Sequence, residues 1–152
     1  MTIEVNVDIS EIEKKQSNIR SYLPEAMGRA TQRALNDIGQ AVVSRATLAF
    51  RTPQMRPSPW APRKPLKRDD GHPLLIKSGS LRQSIKYRVV GSDTVMVGSD
   101  KEYAKYHQHG TKRMPARPFF PVDSYGNLLP EIKRKIEGKV RKSFVEEISA
   151  KL

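Results

Sequence analysis

The chain has 152 residues, which favours one domain over residues 1–152 that buries about 68–70% of the surface of its unfolded chain. Lys and Arg number 28 against 16 Asp and Glu, and the formal net charge of +12 predicts attraction to nucleic acid, an acidic protein or an anionic membrane. Cys is absent, which excludes disulfides and thiolate metal sites, and no apolar run approaches the roughly 18 residues of a membrane span.

The first residues carry acids and lack an apolar segment, so no secretory signal is expected. We therefore expect a soluble protein of a cytosol-like compartment with no membrane partner.

Apolar and polar residues alternate strictly over residues 2–9, which is the period of a half-buried strand. Ser10 and Glu13 have the form of a capping box, which predicts a short helix over about 11–22.

A long amphipathic helix is predicted over 24–50. Pro24 suits the first turn of a helix, and the residues after it place an Ala-rich apolar stripe on one face. Small residues on that face permit close approach by a sheet or another helix. The members of the stripe are Met27, Ala30, Ala34, Leu35, Ile38, Ala41, Val42, Leu48 and Ala49.

Residues 51–73 contain six prolines and six Lys or Arg, so this segment is predicted to be a long basic loop without regular structure. One hypothesis is a loop that reaches across to a neighbouring subunit; the alternative is a solvated, mobile linker. Trp60 favours a docked segment, because a Trp in such a loop usually packs against something. Candidate contacts to DNA or an acidic partner are Arg63, Lys64, Lys67 and Arg68.

A β-hairpin is predicted over residues 85–99. Ser80 and Gln83 mark a helix start just before it, and apolar residues then alternate over 85–91 and over 94–99 on either side of a Gly-Ser-Asp reversal. These strands and residues 2–9 predict a small antiparallel sheet packed against the long helix. The fold class is therefore α+β.

The C-terminal residues 125–152 are predicted to form a helix that lies alongside the long helix. Its apolar residues recur every fourth position, so the stripe drifts around the helix and becomes wide. The apolar members are Leu129, Ile132, Ile136, Val140, Phe144, Val145, Ile148 and Leu152. The polar face is basic and carries Lys133, Arg134, Lys135, Lys139, Arg141 and Lys142.

The most unusual segment is 103–122, YAKYHQHGTKRMPARPFFPV. Its three prolines fix φ and remove backbone donors, so the segment is predicted to be neither a helix interior nor a central strand. Its four aromatic residues are expected to be buried, and its cations are expected to meet an anion. A stiff segment rich in aromatics and Arg favours a docking surface. The aromatic residues are Tyr103, Tyr106, Phe119 and Phe120; the cations are Lys112, Arg113 and Arg117.

No catalytic, metal or cofactor site is predicted. His107 and His109 could share a metal only on a strand, and no acid or thiol at ligand spacing joins them. Packing or hydrogen bonding of His107 beside Tyr106 is the alternative we favour. No nucleophile motif and no phosphate-binding Gly motif is present, so the protein is expected not to be an enzyme.

Two non-enzymatic hypotheses remain. The net charge supports non-specific contact with DNA, although no helix-turn-helix, zinc finger or RNA-binding signature accompanies it. The second hypothesis is self-assembly, because head-to-tail contacts between copies close into rings when the rotation permits.

Several short motifs occur in a characteristic order. They are PWAP over 59–62, LLIKSGSLRQSI over 74–85, VGSD over 97–100, YAKYHQHGT over 103–111 and MPARPFFPV over 114–122. In this order the chain resembles the phage virion morphogenesis family, the group of Mu G-like and P2 S-like tail completion proteins.

The resemblance implies a structural virion protein of a tailed phage or prophage. It would act in tail completion or head–tail joining at the neck or upper tail of the virion, and it would be in the host cytoplasm during assembly. In such a ring the loop over 51–73 would extend to a neighbouring subunit or into a lumen that DNA passes. The implied partners are further copies in a homo-oligomeric ring, six-fold by resemblance, the tail terminator or tail tube, and the head connector. The motif positions, read as structural or interface residues, are Trp60, Leu81, Arg82, Tyr103, Ala104, His107, Gln108, Gly110, Pro115, Arg117, Pro118, Phe119 and Phe120.

Roles for five of these residues follow from their chemistry. Gln108 and His107 are expected to hydrogen-bond backbone that the prolines leave unpaired. Arg117 is expected to make a bidentate contact with a carboxylate, within the subunit or across the ring. Phe119, with the adjacent Phe120, is expected to anchor the core or an interface.

Overall fold

The computed structural model of the protein describes residues 1–6, 24–64 and 71–150. It confirms an α+β fold. The predicted helix over 11–22 lies outside these residues, as do Lys67 and Arg68 of the basic loop. The described elements are β1 (Thr2–Asn6), α1 (Pro24–Ala49), a 3-10 turn (Pro53–Met55), α2 (Ser80–Gln83), β2 (Ile85–Val90), β3 (Thr94–Ser99), α3 (Ala104–His109) and α4 (Pro130–Ser149).

The three strands form one antiparallel sheet in the order β1-β3-β2. Because side chains alternate between the faces of a sheet, each row of paired residues faces either the core or solvent. Val97 is fully buried in the middle of one core row, where its partners are Ile3 on β1 and Tyr87 on β2. The predicted strands are confirmed, and residues 7–9 of the first one lie outside the described residues.

Helix α1 covers the core face of β2 and β3. Gly39 lies where the helix meets the ring of Tyr87, and a Cβ atom at this position would overlap that ring. The Tyr87 hydroxyl donates a hydrogen bond to Asn36 Oδ1 at 3.3 Å, one helical turn away. The absence of a side chain at Gly39 therefore sets the distance between helix and sheet.

Helix α4 packs antiparallel against α1. Near one end of the pair, the carboxylate of Glu147 accepts from Arg29 Nε at 2.9 Å and lies 3.0 Å from Arg33 Nη1. Near the other end, Arg45 Nη2 lies 3.3 Å from Glu131 Oε1. Contacts at both ends therefore hold the register of the two helices.

None of the described helices is both long and apolar enough to cross a membrane.

The predicted apolar stripes of both helices are only partly correct. Leu48 and Val145 were assigned to the core, yet they are 46% and 55% exposed. Both lie at the margin of a wide stripe, beyond the reach of the neighbouring element, whereas Ala46 is fully buried. The start of the last helix was also predicted too early: Asp123 Oδ1 accepts from the amides of Tyr125 and Asn127, and α4 begins only at Pro130.

We expect Gly39→Ala to lower the free energy of unfolding by about 2 kcal/mol, because the added methyl group overpacks a closed helix–sheet contact. Chemical denaturation monitored by circular dichroism measures the change. Gly138→Ala is the matched control: nothing lies within 4 Å of a Cβ there, and Ala is favoured in a helix by about 0.5–1 kcal/mol. A neutral or stabilising Gly39→Ala substitution would contradict the close approach.

Candidate functional site

Residues 103–122 connect β3 to α4, and we refer to this segment as the joint. Its first part forms α3, although the three prolines predict that the segment contains no helix interior. That expectation is wrong for Ala104–His109, because all three prolines follow the helix and restrict only the residues around them. The joint is therefore a short helix followed by an extended proline-rich strip.

Gln108 connects the two parts of the joint. Its side-chain Oε1 accepts hydrogen bonds from the amides of Phe119 at 3.0 Å and Phe120 at 3.1 Å, and the residue is 6% exposed. Buried amides outside a regular ladder need an acceptor, and one amide oxygen has two lone pairs. This contact confirms the predicted role of Gln108.

The chain reverses between the two parts at Gly110, whose φ is 75°. A Cβ atom there would lie 2.7 Å from Ala116 N and 2.9 Å from Met114 O, so only Gly fits. The backbone of the returning strip then pairs with α3, because the amide of Arg117 donates to His107 O at 2.7 Å.

Arg117 attaches the joint to the segment that follows α1. Its Nε donates to Ala61 O at 3.0 Å and its Nη2 donates to Pro62 O at 3.2 Å. The residue is 9% exposed and has no carboxylate partner among the described residues. Among the described residues, the guanidinium therefore binds carbonyls of the extended Pro-rich segment and not the predicted carboxylate, and a contact with a carboxylate across the ring stays a prediction.

Trp60 makes the reciprocal contact. Its Nε1 donates to Pro118 O at 2.7 Å, and its ring meets Phe50 edge-on with centroids 5.8 Å apart. Arg56 lies 4.0 Å above the same ring and donates from Nε to Ala49 O. The predicted docking of Trp60 is confirmed. The hypothesis of an extended arm is wrong for the segment through Pro62, which packs against the subunit itself.

The remaining apolar motif residues belong to the core. Phe119 and Phe120 are fully buried, and Phe119 stacks at 5.2 Å from Phe50 and 4.7 Å from Phe120. Leu81 on α2 is also buried, whereas Arg82 beside it is half-buried. Both Phe residues therefore stabilise the subunit rather than present a surface.

The tyrosines of the joint are exposed, contrary to expectation. Tyr103 is 42% and Tyr106 47% exposed, because α3 turns Ala104 and Gln108 toward the core. His107 packs edge-on against Tyr103, at 6.0 Å, and not against Tyr106. We refer to Tyr103, Tyr106 and His107 as the tyrosine patch.

The backbone hydrogen bond expected of His107 is not made by its Nδ1 atom within the described residues. This atom is buried and has no hydrogen-bond partner within the described ranges. Burial, and secondarily the positive charge of Arg117, lowers the pKa of His107. The neutral imidazole is therefore the favoured form at this position, which suits packing against an aromatic ring.

The basic loop is only partly described. Arg63 Nη2 donates to His72 O at 2.7 Å, and Lys64 is exposed. Pro115 is exposed and Pro118 half-buried in the proline-rich strip. No group of three or more His, Cys, Asp or Glu among the described residues could hold a metal ion.

Two contributors to the site were missed in the sequence. Arg56 stacks on Trp60, and no local pattern marks that pair because the turn at Pro53–Met55 brings them together. Asp123 caps the turn that leaves the joint, and the backbone hydrogen bond from Asn127 chiefly lowers the pKa of its carboxyl group. The sequence Asp-Ser-Tyr-Gly-Asn over 123–127 is typical of such a turn and could have indicated it.

Comparison with models of known protein families gives a match over most of the chain. The sequence model of the phage virion morphogenesis family matches residues 8–143, a span that contains the whole joint, Trp60 and the hairpin. No curated protein and no solved structure gives a significant match.

We expect Gln108→Leu to lower the free energy of unfolding by about 3 kcal/mol, because it leaves the buried amides of Phe119 and Phe120 without an acceptor. Thermal and urea denaturation measure the change. Gln40→Leu makes the same substitution at an exposed position of α1 and should change stability by no more than about 0.5 kcal/mol. Equal effects of the two substitutions would show that the hydrogen bonds contribute nothing specific.

Proposed function

Since the family match covers 8–143 of the chain's 152 residues, the protein belongs to the phage virion morphogenesis family, and we propose that it is a ring-forming subunit that completes the tail and joins it to the head. Membership supports a structural or morphogenetic role in a phage particle. The position at the neck, the ring and the joining step are the parts that we propose.

The observation that carries this proposal is that polar side chains of the family motifs bind backbone within the subunit and so fix the shape of the joint. Gln108, Arg117 and Trp60 all hydrogen-bond to backbone atoms of the same subunit. Bonds of this kind fix the shape of a segment, and they leave these three groups engaged in structure rather than chemistry. A rigid joint is what a subunit needs to present a surface in one orientation, because preorganisation reduces the entropy lost on docking.

The surface that the joint presents is the tyrosine patch. Exposed Tyr is enriched in protein interfaces, where the ring is buried at low cost in side-chain entropy. Lys105 lies 5.1 Å from the ring centroid of Tyr106, and Lys112 and Arg113 are exposed on the following turn. An aromatic surface with a cationic rim fits an acidic protein partner, such as an adjacent ring of the tail or the connector.

A second candidate function is contact with DNA, and α4 supplies the observation that favours it. Its outward face carries four exposed cations within about two turns. Among the described residues, the ion-pair partner of these cations is Glu146 alone, whose Oε1 lies 3.7 Å from Lys142 Nζ. Clustered cations on one helix face suit phosphate contacts. These cations are Arg134, Lys135, Arg141 and Lys142.

We expect the double substitution Tyr103→Ser/Tyr106→Ser to reduce joining of heads and tails at least about tenfold, because interface aromatics often contribute more than 1.4 kcal/mol each to docking. The assay adds purified protein to particles that lack it and counts joined virions by electron microscopy and infectivity. Both sites are exposed, so the melting temperature should fall by no more than about 2 °C.

Arg141→Gln/Lys142→Gln is the matched control on α4 and should leave joining intact. Wild-type joining by the tyrosine variant would contradict the docking role. If only the α4 variant fails, and it also loses salt-dependent DNA binding, contact with DNA is the better account.

A further inference from the structure

The sheet has a free edge on each side within the described residues. Strand β3 is paired on both sides, while β1 and β2 each pair with β3 alone. Across residues 1–6, 24–64 and 71–150, no residue of β2 makes a backbone hydrogen bond outside its ladder with β3. A row of unpaired amides and carbonyls on a six-residue strand is a template for another strand.

We propose that the β2 edge of one copy pairs with the β1 edge of the next, so that the ring closes through a sheet that continues from subunit to subunit. This inference rests on the proposed ring. To that proposal it adds the two surfaces that form the contact between subunits and the charges that favour this pairing over others.

The charges on the two edges are complementary. Glu4 on β1 and Arg88 on β2 both pair with Met96, so they lie on the same face of the sheet at opposite edges. Lys86, one position along that face, pairs with Gly98. Glu4, Lys86 and Arg88 are all exposed, which means that one edge is acidic and the other basic.

These charges discriminate between the ways in which two copies could pair. Pairing of two β2 edges would bring Lys86 and Arg88 against the same cations of the other copy, and like charges on facing strands are destabilising. Pairing of β2 with β1 instead brings Glu4 beside one of those cations. The pattern thus disfavours a symmetric dimer and favours a head-to-tail contact, the type that closes into rings.

Strand direction and burial agree with this contact. Strands β1 and β2 are both antiparallel to β3, so they run in the same direction, and a rotation that continues the sheet pairs them in parallel. Paired residues of a continuous sheet lie on the same face, so a slip of one residue would set the core-facing Ile3 and Val5 of one copy beside outward-facing residues of β2, and only in-phase registers continue both faces. In these registers Glu4 lies next to Lys86 or Arg88.

Cysteine capture tests the pairing directly, because the natural chain has no Cys. The two variants are Glu4→Cys/Arg88→Cys and Glu4→Cys/Lys86→Cys in the full chain. Within one copy, β3 separates these positions by two strand spacings, roughly 9.5 Å, which exceeds the reach of a disulfide. Every disulfide therefore joins two copies.

We expect mild oxidation, alone and during assembly with tails, to give a ladder of covalent oligomers for at least one variant. Glu4→Cys should give no species beyond a dimer, and Glu4→Cys/Arg134→Cys, with its second Cys on α4, should give no ladder. Charge reversal gives a second readout: Glu4→Lys should weaken self-association about fivefold per charge pair, and Glu4→Lys/Arg88→Glu should restore it. Sedimentation velocity measures both.

The outcomes separate this inference from the proposed function. Rings that form without a ladder from either double variant would overturn the strand pairing and leave the ring role intact. Cross-links from these cysteines to a tail protein, with none between copies, would also overturn it. If the protein oligomerises neither alone nor with tails or connectors, both the proposed ring and the proposed strand pairing are contradicted.

Discussion

The amides of Phe119 and Phe120 share one acceptor, the side-chain oxygen of Gln108. They lie between two prolines that cannot donate, in a strip that joins no sheet. A buried amide without a partner costs about 1–3 kcal/mol, so the strip can stay buried only if another element supplies an acceptor. Helix α3 supplies it, and the position of α3 against the rest of the subunit follows from that requirement.

The same requirement connects parts of the chain that are far apart in sequence. Trp60 donates to Pro118 O, and Arg117 donates back to Ala61 O and Pro62 O. The Pro-rich segment after α1 and the Pro-rich strip of the joint thus supply hydrogen-bond donors to each other's carbonyls, next to the packed rings of Phe50, Trp60 and Phe119. The consequence is orientation: the strip is fixed to the segment after α1, and α3 is fixed to the strip through Gln108 and the carbonyl of His107. The exposed tyrosines of α3 therefore have a defined position, which is what the proposed docking needs.

Local periodicity predicted the two long helices and the three strands, because it depends only on neighbouring residues. The alternation over 2–6, the hairpin and the long helix are therefore visible in the sequence. What failed depends on contacts between distant segments. Aromatic character alone does not show which side of α3 faces the core, so the predicted burial of Tyr103 and Tyr106 is wrong. Nor can it show that Arg117 meets carbonyls from a loop some 55 residues earlier.

Native-state hydrogen exchange of the Phe119 and Phe120 amides tests most directly whether the joint is part of the rigid body of the subunit. The account predicts that both amides exchange only through global unfolding, with the same free energy of opening as the amides of Val95 and Val97 in the central strand. Exchange through a local opening several kcal/mol below that value would show that the joint detaches on its own, and would contradict the account.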